Sequence, residues 1–263
     1  MNGSPHIPDW LGVLASVVLV GIAIGVSMRA RLGLTKELVV AAARAFAQLL
    51  AVGAVLTVLF TRAGLIGALA WVAGMVVVAG FVASGRARAL PRARTIAWIA
   101  VGTGTAVTVG VLLAVGVIEP VPSVVVPVGG MVVSGAMTAA IVTMRRLAEV
   151  AQEQRADIEA RLALGLTSED AMAPHLRRSV TVALLPAIDS TKVVGLIALP
   201  GAMTGLILAG VEPIVAVRYQ IVVMYMLLAA ASVSAIVASR LCRRALFDDA
   251  DRLRRLPGGS PRM

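Results

Sequence analysis

The residue types that do chemistry are scarce in this chain, and their spacing narrows what they could do. Two histidines, His6 and His175, are far apart, and Cys242 is the lone cysteine. Neither an intrachain disulfide nor a cysteine-based metal cluster can form. Neither histidine has a nucleophile beside it in a triad-like pattern, so an enzyme is not expected. The polar residues that stand out lie inside apolar runs instead. Arg44 and Gln48 are four apart and share a helical face; Met131, Ser134, Met137, Thr138 and Arg145 fall within one helical arc. Met203 and Thr204 follow Pro200, and Arg218 and Gln220 stand at the head of another run. Polar groups in such surroundings are costly unless they face protein or water, so each is a candidate for lining a transport pathway. Thioether sulfur suits soft cations better than hard ones, although methionine in a membrane helix usually serves packing. Arg44 also has plainer readings: it snorkels to the interface, or it pairs with a carbonyl or with Gln48. An arginine beside a cation path would repel the cargo, so a chelated or anionic cargo fits as well as a bare ion. No resident metal site can be read from these residues.

The elements that position them must be membrane helices. Hydrophobic residues make up 59% of the 263 and charged residues 14%, yet the net charge is +10; mean hydropathy is +0.93. One soluble core of this size could not hide that much apolar surface, and disordered chains are poor in aliphatics. A β-barrel would alternate over about 10 residues with aromatic girdles, but the runs here are continuous and aromatics are 3%. A spanning helix needs about 20 apolar residues. Seven stretches qualify: Trp10–Met28, Leu38–Phe60, Leu65–Ala83, Ile96–Ile118, Val124–Met144, Val193–Gly210 and Ile214–Leu241. The expected fold class is therefore all-α, a polytopic integral membrane protein of about seven transmembrane helices, with one permease-like domain over residues 1–263.

Charge sets the orientation. No basic residue precedes the first stretch, which argues against a cleavable signal peptide. With the N-terminus outside, 21 of the 24 lysines and arginines fall on the inner side, and Arg62 alone falls outside. The positive-inside rule then explains the net charge without nucleic acid as a partner. The expected location is the cytoplasmic membrane, with the C-terminus in the cytoplasm.

Small residues four apart, such as Gly102, Ala106, Gly110 and Ala114, let helix backbones approach closely. Pro200 removes a backbone donor inside the sixth stretch and should kink or break it; broken helices mark places where backbone groups face a cavity. The longest non-spanning segment, residues 145–192, is expected to be a cytoplasmic helical insertion between the fifth and sixth spans. Its first helix stops naturally at Gly165, and Thr167 or Ser168 can cap a second, short one. Residues 180–188 either lie along the interface or extend the sixth helix. Asp189 and Lys192 are three apart and can neutralise each other. They read either as a snorkelling pair at the inner mouth or as a gate or ion-site carboxylate. Within the insertion, Glu159, Ala160 and, after Arg161 and three more residues, Gly165 resemble the Glu-Ala-Ala…Gly loop by which ATP-driven importers' permeases meet their motor. Leu185-Pro186 comes later than the importer pattern expects.

Longer runs point to a family. RAFAQLLAVG (residues 44–53), GGMVVSGAMTA (129–139), LALGLT (162–167), LLPAIDSTKVVGL (184–196), ALPGAMTGLILAG (198–210) and AVRYQIVVMYMLLAAAS (216–232) resemble the iron-export ABC-transporter permease family of the FetB type. Its plant relatives act in aluminium tolerance. The resemblance implies a permease that pairs with a separate ATPase to move substrate out of the cytoplasm. One departure stands out: the family often has Gly-Asn-Ala-Met where this chain has Ser134-Gly135-Ala136-Met137.

The chain has no G-x-x-x-x-G-K-[ST] loop to cradle ATP phosphates. It is thus expected to bind no cofactor, with ATP and magnesium on the partner subunit. The expected partners are that ABC ATPase at Glu159, Ala160 and Gly165, a second permease copy, the lipid bilayer, and a metal ion or metal complex as cargo. The alternatives are a motor-independent secondary transporter, or an ABC permease for another imported or chelated substrate.

Overall fold

The computed structural model describes residues 10–62 and 64–257; His6 lies outside them. The chain divides into two compact units, Met1–Ala63 and Gly64–Met263.

The first unit holds α1 (Trp10–Arg29) and α2 (Thr35–Arg62), which pack as a hairpin. Arg31 takes a left-handed φ of 51° between them. Leu32 and Arg31 donate backward to the carbonyls of Ser27 and Met28, which closes α1. Ser27 is the buried residue of this hairpin among those described. Such all-round apolar exposure belongs to helices covered by lipid or protein.

The second unit holds α3 (Gly64–Arg86), α4 (Ala93–Ala114), α5 (Pro122–Glu153), α6 (Arg155–Ala163), α7 (Ser168–Val193), α8 (Gly201–Leu208) and α9 (Pro213–Leu246). Helices α3 and α4 meet closely at Gly80. A Cβ there would stand 1.6 Å from the Trp98 ring. The indole N–H donates to Val77 O at 3.1 Å, and the ring stacks edge-on against Phe81. Further along α4, Gly104 lets three helices converge. Its missing Cβ faces Ala230 O, Ser234 Cβ and Ala136 Cβ at 3.0 to 3.4 Å. Helices α5 and α9 run parallel. Ser234 donates to Ala136 O, and beyond the two helix ends Arg155 donates to Leu253 and Arg254 carbonyls. Helix α7 runs against both. Its first turn meets the end of α9 through Glu169 and Arg243 at 3.1 Å, while Ser190 and Thr191 lie beside Gly130 and Met131 of α5.

Six of the described helices, α1 to α5 and α9, are long and apolar enough to cross a membrane. The chain is a polytopic all-α membrane protein. The expected sixth span, Val193–Gly210, is not a single helix. Helix α7 stops at Val193, a turn with Gly195 at φ 81° follows, and α8 begins after Pro200 and lasts eight residues. At 1.5 Å per residue α8 is about 12 Å long, too short to cross. Proline at 200 and the left-handed glycine at 195 interrupt what hydropathy alone reads as continuous.

The expected insertion also divides differently. Helix α5 continues to Glu153, α6 is a separate nine-residue helix, and α7 is 26 residues long rather than short. Helix α7 absorbs Pro174 and Pro186 without ending. Its second half lies along the apolar part of α5: Val142 and Val180 pack on one cluster with Ala139, Ala183, Ala231 and Ala235. Residues 180–192 thus form the second half of α7, which leads to the interruption before α8.

Candidate functional site

A cavity of about 510 Å³ opens between α5, α7 and α9. Helix α5 supplies Met131, Ser134 and Thr138, and α7 supplies Pro186, Ser190 and Thr191. Helix α9 adds Met224 and Leu227. Ser134 is the middle residue of the apolar run Val124–Met144, so the cavity lies at mid-depth of the helix layer. Small residues make room for it: Gly130, Gly135, Ala183 and Ala187 line the same walls. The hydroxyls are locally anchored. Thr138 donates to Ser134 O, Ser190 to Pro186 O and Thr191 to Ala187 O, at 2.7 to 3.0 Å. Each oxygen keeps lone pairs that can accept from, or coordinate, a passing solute. The lining therefore offers hydroxyl oxygens and two thioethers, with no charge.

The structure brings part of the expected pathway set together here. Met131, Ser134 and Thr138 line the cavity; Met137 belongs to the same helix but not to the lining. Pro200 caps α8, and Thr204 donates to Pro200 O at 3.2 Å, so Met203 and Thr204 belong to the broken element. Arg44 and Gln48 are exposed on α2. Arg218 is exposed in the second turn of α9, whereas Gln220 is 4% exposed. Neither amide atom of Gln220 has a partner among the described residues, a costly arrangement for a buried group.

Asp189 and Lys192 pair at 3.6 Å, both well exposed. Ala187 and Ser190 flank Asp189, and both line the cavity with Ser134. Among the described residues no three of His, Cys, Asp and Glu come together as a metal-binding group. His175 stands instead beside Asp157, Nε2 to Oδ2 at 3.3 Å, at a polar cleft with Arg146 and Arg178.

The other candidate surface is α6 and the turn after it. Gly165 has φ 86°, with Gly165 N–H on Leu162 O and Leu166 N–H on Arg161 O. This double closure needs a left-handed residue, which only glycine adopts freely. Thr167 then caps α7, accepting from Asp170 N–H at 3.2 Å. Leu164 at the tip is 80% exposed. Ala160 is exposed too, and Glu159 holds Arg155 at 2.6 Å. Arg155 in turn pins the segment after α9. That segment is a tight loop in which Asp248 accepts from Ala250 and Arg252 N–H groups. This C-terminal loop is held by the Asp248 carboxylate and the Arg155 and Arg254 guanidinium groups together with a few backbone bonds. A groove of about 760 Å³ separates it from α6, lined by Glu159, Leu162, Leu166, Asp251 and Arg252.

A family model described as "Uncharacterised protein family (UPF0014)" matches residues 10–247. The chain belongs to that family. Among its UPF0014 relatives is the rice UPF0014 membrane protein STAR2, 45% identical over 91% of this chain and 84% of its own length. The probable iron export permease protein FetB of Escherichia coli is 40% identical over 52% of each chain. Protein ALUMINUM SENSITIVE 3 of Arabidopsis thaliana is 43% identical over 50% of this chain and 48% of its own. No solved structure matches the chain. The expected resemblance to the FetB-type family thus holds. Within UPF0014, the cavity, the broken α7–α8 element and the α6 turn are the features that a transport role would use.

Proposed function

We propose that this UPF0014 protein is the permease subunit of an ATP-driven transporter that exports iron or a related metal across the cytoplasmic membrane. The observation that carries this reading is the cavity of about 510 Å³ between α5, α7 and α9, whose α7 wall ends just short of the interruption before α8. A discontinuous helix provides a place where backbone and hydroxyl oxygens meet a solute away from lipid. The iron-export name of the Escherichia coli relative supports the cargo class. Hydroxyls and thioethers without a carboxylate cluster suit a chelated or weakly held metal that must also leave.

The motor is a separate ABC ATPase docking on α6 and the Gly165 turn at the basic, cytoplasmic end. Two permeases work together, with the N-terminus outside. Closure of the motors pushes α6; the push passes through the α6–α7 turn into α7, whose far half lines the cavity. Access then switches between the two sides. In this reading the chain itself does no catalysis and holds no ATP. The test is cellular: expression should lower the iron content of iron-loaded cells, and Gly165→Pro, which breaks the turn but not the spans, should remove the effect. Unchanged iron content on expression across a metal panel would contradict the export reading.

A further inference from the structure

The methionines of this chain differ in what surrounds them. Met144, Met172 and Met226 are enclosed, at 3% exposure or less, and fill the core as methionine usually does. Met131 and Met224 are half-buried and line the cavity between α5, α7 and α9. They also stand at one level. A Cβ on Gly135 would lie 3.2 Å from Leu227 Cδ2, so these two residues mark a contact between α5 and α9. The two helices run parallel, and one turn back from that contact lie Met131 on the first and Met224 on the second. Another thioether reaches this level from α3. Met75 Sδ is 3.7 Å from where a Cβ on Gly130 would stand, and Gly130 is in the cavity wall beside Met131.

The rest of the lining decides which ion these sulfurs suit. Among the described residues it offers the hydroxyls of Ser134, Thr138, Ser190 and Thr191, but no carboxylate, imidazole or thiol. Asp189, beside the lining on α7, is already paired with Lys192 at 3.6 Å. Taking an ion out of water costs in proportion to the square of its charge, so a divalent ion costs about four times as much as a monovalent one of the same size. Nothing anionic in this wall offsets the larger cost. A monovalent cation that favours sulfur loses least here and gains most, because soft thioethers select ions such as Cu(I). We propose that Met131, Met224 and Met75 form a binding site in this cavity for a soft monovalent cation, the class to which Cu(I) and Ag(I) belong. The flexible methionine side chain lets sulfurs from three helices close on one ion. Neutral ligands hold it without cancelling its charge, so it can also leave. This deepens the transport reading, on which it rests for its purpose: it adds a soft cation to the metals that the cavity would carry.

Silver binding by the purified full chain, without any ATPase, tests it. Ag(I) needs no reductant, unlike Cu(I), and the protein carries Cys242→Ser to remove the buried thiol. Silver should bind, with sulfur neighbours in its X-ray absorption spectrum. Met131→Leu and Met224→Leu should each weaken binding by about tenfold or more, and Met75→Leu should weaken it less, from the rim. Leucine conserves volume, so unfolding midpoints should stay near the parent's. Met137→Leu, on α5 but outside the lining, should bind as the parent does. An excess of Mn(II) should leave the silver in place. No silver bound, the same affinity in the Met131, Met224 and Met137 variants, or displacement by Mn(II) would overturn the proposal. Silver held at these methionines by a permease that moves no metal would support the site and contradict only the transport reading.

Discussion

The hydroxyl of Ser234 donates to the carbonyl of Ala136 at 2.8 Å, and both residues are fully buried. This bond ties α9 to α5 at the level where Gly104 brings α4 within contact of both. Three helices thus close on one another through a glycine, an alanine and a serine, and the cavity opens on the side of α5 and α9 that faces α7.

Ser234→Ala should cost about 0.6 kcal/mol, the mean for hydrogen bonds between membrane helices. Ser234→Leu should cost more, because its added methylenes press on the Gly104 backbone. Thermal unfolding in detergent measures both; equal midpoints would remove the bond from the account.

Gly80→Ala should destabilise the α3–α4 hairpin by about 1–3 kcal/mol, the usual range for overpacking. The new methyl would stand 1.6 Å from the Trp98 ring, which must give up its bond to Val77. A lowered unfolding midpoint with a shift in tryptophan emission is expected.

Gly165→Ala should strain the α6 turn by about 1–2 kcal/mol, since a Cβ is disfavoured at left-handed φ. The spans lie elsewhere, so insertion should stay normal while transport and ATPase activity come apart. Glu159→Gln should weaken the same link through Arg155 and the C-terminal loop. The checks are ATP turnover per metal moved and the amount of protein in the membrane. Unaltered coupling in both variants would count against docking at α6.

The loop after α9 should be sensitive to acid. The backbone N–H of Arg252, aided by its guanidinium and by the Ala250 N–H, holds the Asp248 carboxyl below the usual carboxylate range. A carboxyl depressed in the folded state stabilises the loop above its unfolded value, and that contribution disappears as pH falls through the folded value. Protection of the Ala250 and Arg252 amides, their exchange relative to an unstructured amide at the same pH, should be high at neutral pH and lost in strong acid. In Asp248→Ala the protection should be low throughout; protection that persists in this variant contradicts the role given to the carboxylate.

Ser190→Phe should fill much of the α5–α7–α9 cavity and abolish transport while the protein still folds and meets its partners. Gln220→Leu removes a buried amide that has no partner among the described residues. It should leave stability equal or higher, because no made bond is lost. Full transport by Ser190→Phe would place the pathway elsewhere.

Much of this organisation is legible in composition and spacing, and the misses share a cause. Continuous apolar runs expose α1 to α5 and α9, because a spanning helix must be apolar along its length. Gly165 and Thr167 are readable because turn and cap chemistry is local. Hydropathy misjudges Val193–Gly210, where the residues are apolar but Gly195 and Pro200 prevent one helix. It misjudges α7 in the opposite direction. Arg178, Asp189 and Lys192 make the segment look like part of a helical insertion with only a short second helix, whereas α7 runs on to Val193 beside the apolar part of α5. The C-terminal loop is not legible because Arg155 and the carbonyls of Leu253 and Arg254 lie far apart in sequence and meet only in the fold. The cavity drew Met131, Ser134 and Thr138 from the expected set, and Ser190, Thr191 and Met224 joined them through packing alone.

The most direct test is transport by the purified permease in proteoliposomes, with and without its co-purified ATPase. With ATP and magnesium outside, molecules whose cytoplasmic end faces outward should accumulate iron in the lumen. That accumulation should vanish without ATP, without the ATPase, and in a Ser190→Phe protein. Iron movement that needs no ATPase and follows an ion gradient instead would contradict the account.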